Sequence, residues 1–167
     1  MARNLVRKYG DPVLREKTKP VEVFDDELKK FAESMYSIMK SANGLGLAAP
    51  QVGDTRQLFI IDLSGQEFDS EPIYVVNPVI ESATGVEVGE EGCLSFPGLF
   101  LEIKRASKVI VKFQDLGGKP HRIEASGLAA RAIQHENDHL NGVLFIDHLS
   151  SVERDMLAGK LKRIKVG

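Results

Sequence analysis

Cysteine is nearly missing from this chain: Cys93 is the single one in 167 residues. That excludes an internal disulfide and suits a reducing compartment. Long apolar runs are missing too, none approaching the roughly 20 residues that span a bilayer. The opening MARNLVRKYGDPVLREK carries charges with no continuous apolar stretch behind them, unlike a secretory signal. Charge of one sign is scarce: a net charge of −2 gives no global attraction to nucleic acid or anionic lipid. Neither DNA nor a membrane is therefore an expected partner. Repeats, linkers, low-complexity segments and a Gly-Lys-Ser/Thr phosphate loop are also lacking. What is present is an ordinary globular mixture, 43% hydrophobic and 28% charged, of a length suited to one compact domain.

Residues 25–42, DDELKKFAESMYSIMKSA, place Leu28, Phe31, Ala32, Met35, Ile38 and Met39 at helical spacing. Asp25 is a fitting N-cap and Asn43-Gly44 a fitting stop. The runs QLFIIDL (57–63), IYVVNPVI (73–80) and SKVIVKFQD (107–115) are rich in β-branched and aromatic residues and read as strands. Turn chemistry separates them at Leu63-Ser64-Gly65, Ala83-Thr84-Gly85 and residues 115–118, the last followed by KPHRIEA as a hairpin. No helix interrupts these strands, so an antiparallel or mixed sheet is expected. Ser126 can cap a second helix, GLAARAIQHENDHLNG, that stops at Asn141-Gly142. VLFID then reads as a short strand, and Ser150 with Glu153 as a capping box opening a last helix toward Lys165. The expectation is α+β: one domain over residues 1–167, with antiparallel or mixed sheets around a central helix.

His135 and His139 stand four apart on that central helix, so they share a face and can grip one ion. Glu136 lies about 100° round from His135, beside the ion without ligating it, where a general base belongs. The opposite face (Leu128, Ala129, Ala132, Ile133, Leu140) reads as buried. A catalytic site wants three protein ligands and one open position. The metallopeptidase pattern HExxHxxGxxH fits as far as Gly142, but Phe145 stands where the third histidine should be. His148 is nine residues past His139, and Glu153 is committed to a cap. Upstream, EEGCLSFPG (90–98) holds Cys93 in what reads as a strand edge or turn. A lone cysteine is more often a small buried hydrophobe. Here its thiolate would close a Cys-His-His set and leave the fourth position open, so Cys93 is the expected third ligand.

Three stretches, GLGLAAPQ (44–51), EGCLS (91–95) and QHENDH (134–139), resemble in order and spacing the three signature motifs of peptide deformylases. The resemblance runs from the first helix to the segment after Gly142. It implies removal of the formyl group from nascent polypeptides that begin with formyl-methionine, with release of formate. It implies iron(II) as the native ion, with nickel, cobalt or zinc as substitutes. Cys93, His135 and His139 would then be the ligands and Glu136 the acid and base. Gln51 and the backbone N–H of Leu94 would stabilise the formyl oxygen. A divalent ion makes hydroxide available for attack on the formyl carbon by lowering the pKa of water to about 7.

The same resemblance implies that Gly44, Leu45 and Gly46 line the substrate cleft. Backbone around Leu45 and Gly46 on one side and Gly92 on the other would bind the peptide as an added strand. Leu45, Leu128 and Ala132 are candidate walls for the methionine side chain, though as apolar residues they suit a core equally. Arg131, one turn before His135, can border that pocket with its stem and keep its head in solvent, or it can form a surface ion pair. The implied home is bacterial cytoplasm. One departure stands out: Phe100 or Leu101 occupies the place where many bacterial members carry arginine or tyrosine near the substrate backbone. That touches how the peptide is held beyond its first residue and leaves the metal chemistry alone.

Weaker features have two readings each. Glu90 and Glu91 either orient a ligand histidine or are solvated. His121 and His148 read as ordinary surface or hairpin residues. The cations Lys160, Lys162, Arg163 and Lys165 complement a helix dipole, or make transient contact with ribosomal RNA. Gly44-x-Gly46-x-x-Ala49 formally fits a dinucleotide fingerprint, but it follows a helix and runs into Pro50. The competing classes are a metallopeptidase and a non-catalytic metal or dinucleotide module. A structural metal site would normally have four protein ligands and no base such as Glu136.

Overall fold

The amphipathic stretch after Asp25 forms helix α1 (Asp26–Ser41), with the Asp25 carboxylate accepting from the Leu28 N–H at 3.0 Å. It ends as its sequence asks: Asn43 takes a left-handed φ of 59°, and the Asn43 and Gly44 N–H groups return to the Lys40 and Met39 carbonyls. A computed structural model describes residues 5–64 and 71–166 of the chain. Gly65 of the first expected turn lies outside them.

Strands β1 (Gly46–Ala48), β2 (Leu58–Ile61), β3 (Ile73–Thr84), β6 (Lys108–Gln114) and β7 (Pro120–Ser126) form one sheet in the order β1-β2-β3-β6-β7. Every pairing between them is antiparallel, as the absence of crossover helices requires. Strand β2 shows why its sequence is continuously apolar. Its four residues are all buried: Phe59 and Ile61 pack toward Ala130, Ile133 and Leu140, while Leu58 and Ile60 pack toward Leu28, Ala32, Met35 and Met39. A strand covered on both faces has no polar side to show. The sheet thus lies between α1 and helix α2 (Gly127–Leu140), the second of which carries the paired histidines.

Strands β4 (Glu87–Cys93) and β5 (Phe96–Arg105) make a separate two-stranded hairpin that the sequence suggested only as a strand edge or turn near Cys93. Leu99 and Ile103 of β5 join Phe96, Leu144, Phe145, Ile146 and Leu161 in a third apolar cluster. Helix α2 begins at Ser126 as expected, but the Ser126 side chain makes no cap bond. Its end matches the expected stop, with Gly142 at φ 72° and the Val143 N–H on the Asp138 carbonyl.

Two expectations are corrected. VLFID is not a strand: Phe145–His148 form a 3-10 turn in which Asp147 accepts from the Leu144 N–H at 2.9 Å. β-branched and aromatic residues suggested extension, yet no neighbouring strand among the described residues offers a ladder, and the local carboxylate closes the turn instead. The last helix is also two: α3 (Ser151–Met156), opened by the expected Ser150–Glu153 capping box, and α4 (Ala158–Val166). The break at Leu157 accompanies the packing of Leu157, Leu161 and Ile164 into the third cluster.

Phe59 is fully buried in the central strand. Phe59→Ala should therefore cost about 3–5 kcal/mol of stability, as large-to-small core changes do. Urea unfolding followed by circular dichroism reads the loss; a cost well below about 1 kcal/mol would show that the sandwich collapses around the gap.

Candidate active site

Cys93 stands at the end of β4, and the turn Leu94–Ser95 carries its sulfur toward α2. There the Cys93 Sγ lies 3.5 Å from His139 Nε2. One ligating atom from each of Cys93, His135 and His139 falls within 4.8 Å of the other two, a set compatible with a single ion. The donor chemistry fits too, since thiolate plus imidazole suits a divalent transition metal.

Each donor is prepared by its surroundings. His135 Nδ1 lies 2.8 Å from Glu91 Oε1, which fixes the ring and leaves Nε2 free to ligate. Burial disfavours charge on His135, but the neighbouring Glu136, Cys93 and Glu91 outweigh it and raise its pKa well above the usual imidazole value. The same anionic surroundings would favour a bound cation. Burial holds His139 well below that value, helped by the charges of His135 and Arg105, which favours the neutral form that ligates metal.

Glu136 is 5% exposed, and its Oε1 has no hydrogen-bond partner among the described residues. Such an orphaned buried oxygen carries a large desolvation penalty unless something not made of protein meets it. Burial pushes the Glu136 carboxyl up to about 7, with His135 pulling the other way. The carboxylate lies against Gly46: a Cβ there would sit 2.6 Å from Glu136 Oε2. Glycine at position 46 is thus a packing requirement.

Gln51 is 1% exposed and held at both ends of its amide. Its Oε1 accepts from the Ala48 N–H at 2.9 Å; its Nε2 donates to Ser95 Oγ at 3.1 Å and faces Cys93 Sγ at 3.7 Å. An amide nitrogen has two hydrogens. Ser95 takes one, and the other is directed to the thiol side of the cleft.

Gly44, Leu45, Gly46, Gln51, Gly92, Cys93, Leu94, Leu128, Arg131, Ala132, His135 and Glu136 all line one cleft of about 630 Å³; His139 is buried and is not part of the lining. Leu45 and Leu128 are both partly open to solvent on the rim. Phe100 is 64% exposed there, and its ring covers Gly92, where a Cβ would come within 2.8 Å of it. Phe145, at the place of a metallopeptidase's third histidine, packs edge-on to the His135 ring with centroids 5.7 Å apart.

Arg131 differs from both of its sequence readings. Its head is buried, donating to Glu91 Oε2 at 2.7 Å and to the carbonyls of Ile103 and Glu87 at 2.8 Å each. It has company that the sequence reading missed. Arg105 donates to both oxygens of Glu91, at 2.8 and 2.9 Å, and to Asp138 Oδ2 at 2.6 Å; Asp138 in turn meets His148 Nε2 at 2.8 Å. His148 is exposed, as expected of a surface residue, and is also tied to this network through Asp138, whereas His121 sits on its hairpin paired with Asp115. Burial would raise the Glu91 pKa, but Arg105 and His135 hold it well below the carboxylate range. A signal for Arg105 did exist. It occupies the inward register of β5 two residues after Ile103, where an arginine demands a buried acid.

Comparison with known proteins agrees with this picture. The family model for polypeptide deformylase matches residues 4–155. A peptide deformylase of Brucella suis biovar 1 is 48% identical over 155 residues, covering 92% of this chain and 89% of that protein. The crystal structure of a peptide deformylase from Legionella pneumophila superposes with a TM-score of 0.89 at 45% identity, covering 96% of this chain and 94% of its own. The crystal structure of peptide deformylase from Thermus thermophilus superposes with a TM-score of 0.90 at 41% identity, covering 97% of each chain. On the matched length, the identity and the shared fold, the chain belongs to the peptide deformylase family and is a hydrolase.

Proposed function

We propose that this enzyme removes the N-terminal formyl group from peptides beginning with formyl-methionine, releasing formate, within a single catalytic domain. The observation that carries the reading is the buried Glu136 carboxylate, unpartnered at Oε1 among the described residues, beside the Cys93, His135 and His139 donors at an open cleft. Those three residues would hold a divalent ion, iron(II) as the native one, with nickel, cobalt or zinc able to replace it. The ion would supply Lewis-acid chemistry, making water acidic enough to serve as nucleophile near pH 7.

The chain's own residues do the rest. Glu136 takes a proton from the attacking water and returns it to the leaving amine, work typically worth about 10²–10⁴-fold. Its carboxyl, raised to about 7 by burial, is suited to both halves of that transfer near neutrality. As the formyl carbon becomes tetrahedral its oxygen gains charge. The Nε2 hydrogen of Gln51 that points to the Cys93 side of the cleft and the backbone N–H of Leu94 meet it. Gly44, Leu45 and Gly46 face Gly92 across the cleft and hold the peptide backbone as an added strand. Leu128, Ala132 and the stem of Arg131 border the methionine side chain. The reading also includes a bacterial cytoplasmic setting and transient contact with the ribosome through the basic C-terminal run. No helix among the described residues is long and apolar enough to cross a membrane.

The direct test is formate release from a formyl-methionyl tripeptide by protein purified without air and supplied with iron(II) or nickel. Release should depend on metal and fall about 10²–10⁴-fold in Glu136→Ala, with metal content unchanged. Gln51→Ala should keep metal and lose about 10²–10³ in kcat; an unaltered kcat would remove Gln51 from the reaction.

Glu91 orients His135 and neutralises two buried arginines. Glu91→Gln should weaken metal affinity about 10–100-fold, as losing such a partner typically does. Competition against a chelator measures it, and an affinity equal to wild type would confine Glu91 to a folding role.

A further inference from the structure

Beyond the ridge at Gly98–Leu99 lies a second cavity, of about 390 Å³. It shares Lys8 and that ridge with the catalytic cleft, and Lys160, Arg163 and Ile164 of α4 close its far side. Lys160 and Arg163 bring two exposed cations to it. Helix α4 is seated by Leu161, which is buried in the third cluster, and by Ile164 packed against it. Lys160 and Arg163, three apart, stand exposed on the helix surface at the cavity. The ridge is low. Gly98 has a φ of 75°, and a Cβ built there would meet nothing within 4 Å.

We propose that this cavity is a subsite for a carboxylate of the peptide substrate, an acidic side chain a few residues after the methionine or the terminal carboxylate of a short peptide. The proposal rests on the reading of the cleft as a formyl-peptide site. Three features favour a peptide carboxylate over nucleic-acid phosphate. The cavity adjoins the cleft and shares Lys8, Pro97, Gly98 and Leu99 with it. Leu99 and Ile164 line it beside the cations, which suits the methylenes of a glutamate stem. The whole chain carries a net charge of −2, against any general attraction to a polyanion. The subsite would set a preference at positions that the cleft itself leaves open. Its effect would be on binding, since the cavity holds none of the groups around Glu136.

The test uses formyl-methionyl peptides of equal length with amidated C-termini, carrying either Glu or Gln at position 3, 4 or 5. Each is assayed by formate release with the wild-type enzyme and with a Lys160→Glu, Arg163→Glu double variant, whose changes lie on exposed helix surface. At one position the wild type should show a KM about three- to five-fold lower for Glu than for Gln at equal kcat, the size of one or two exposed charge pairs. The advantage should shrink in high salt and vanish or invert in the double variant, with kcat on the Gln peptides unchanged. A Glu-to-Gln ratio identical in the two proteins at every position overturns the subsite. If that same variant loses binding to a ribosomal RNA hairpin while keeping the wild-type Glu-to-Gln ratio, the cations serve nucleic acid and the peptide subsite is likewise overturned. No formate from any Gln peptide with the metal-loaded wild type would mark failure of the deformylase reading itself, and this proposal would fall with it.

Discussion

One buried carboxylate organises the centre of this molecule. Glu91 reaches in from β4 and is met by Arg105 from β5 and by Arg131 and His135 from α2. Desolvating such charges is expensive, and the arrangement is tolerated only because each is paired and hydrogen-bonded. The Arg131 guanidinium also satisfies backbone carbonyls of Glu87 and Ile103, so it ties the hairpin to the helix at several points. Removing Glu91 would take from two buried arginines the acid they share. The hairpin that carries Cys93 and the helix that carries both histidines are thereby fixed to each other, and the donor set follows from that fixation.

The apolar layers set the same relationship from the other side. Sheet strands covered on both faces hold α2 against Phe59 and Ile61, while Phe96, Phe145 and Ile146 fill the space between β5 and the turn after α2. Phe145 rests against the His135 ring, so the packing that excludes a third histidine also braces one of the two present. Gly46 belongs to this account, because its missing side chain is what lets the Glu136 carboxylate lie against β1. Rigid elements on three sides hold the polar groups, and the cleft opens on the remaining one.

Much of the local structure was legible in the sequence. Asp25, Asn43 and Gly142 cap helices because their side chains or left-handed backbones satisfy orphan helical groups. The apolar run of β2 and the turn chemistry around 115–118 were equally plain. The turn at 145–148 and the break at Leu157 were not, because residue types that favour a strand or a continuous helix were overruled by a local carboxylate and by packing into the third cluster. Arg131 was misread for a related reason: an arginine on a helix is normally solvated, and nothing nearby in sequence announces the acid that buries it.

By itself, the sequence determined that His135, Glu136 and His139 share one region of a helix, because a helical repeat of roughly 3.6 residues allows nothing else. It also determined, through its three motifs, which family those residues belong to. Tertiary structure decided the contacts themselves: Cys93, distant from His135 along the chain, faces that helix as expected, and Gln51 turns its amide toward the same sulfur. It decided too that Glu91 is buried between two arginines and not solvated at a turn. Periodicity reports on neighbours a turn or a strand step away. Groups far apart in sequence meet only when burial of the apolar layers brings their elements together, and a buried charge finds its partner by the same packing.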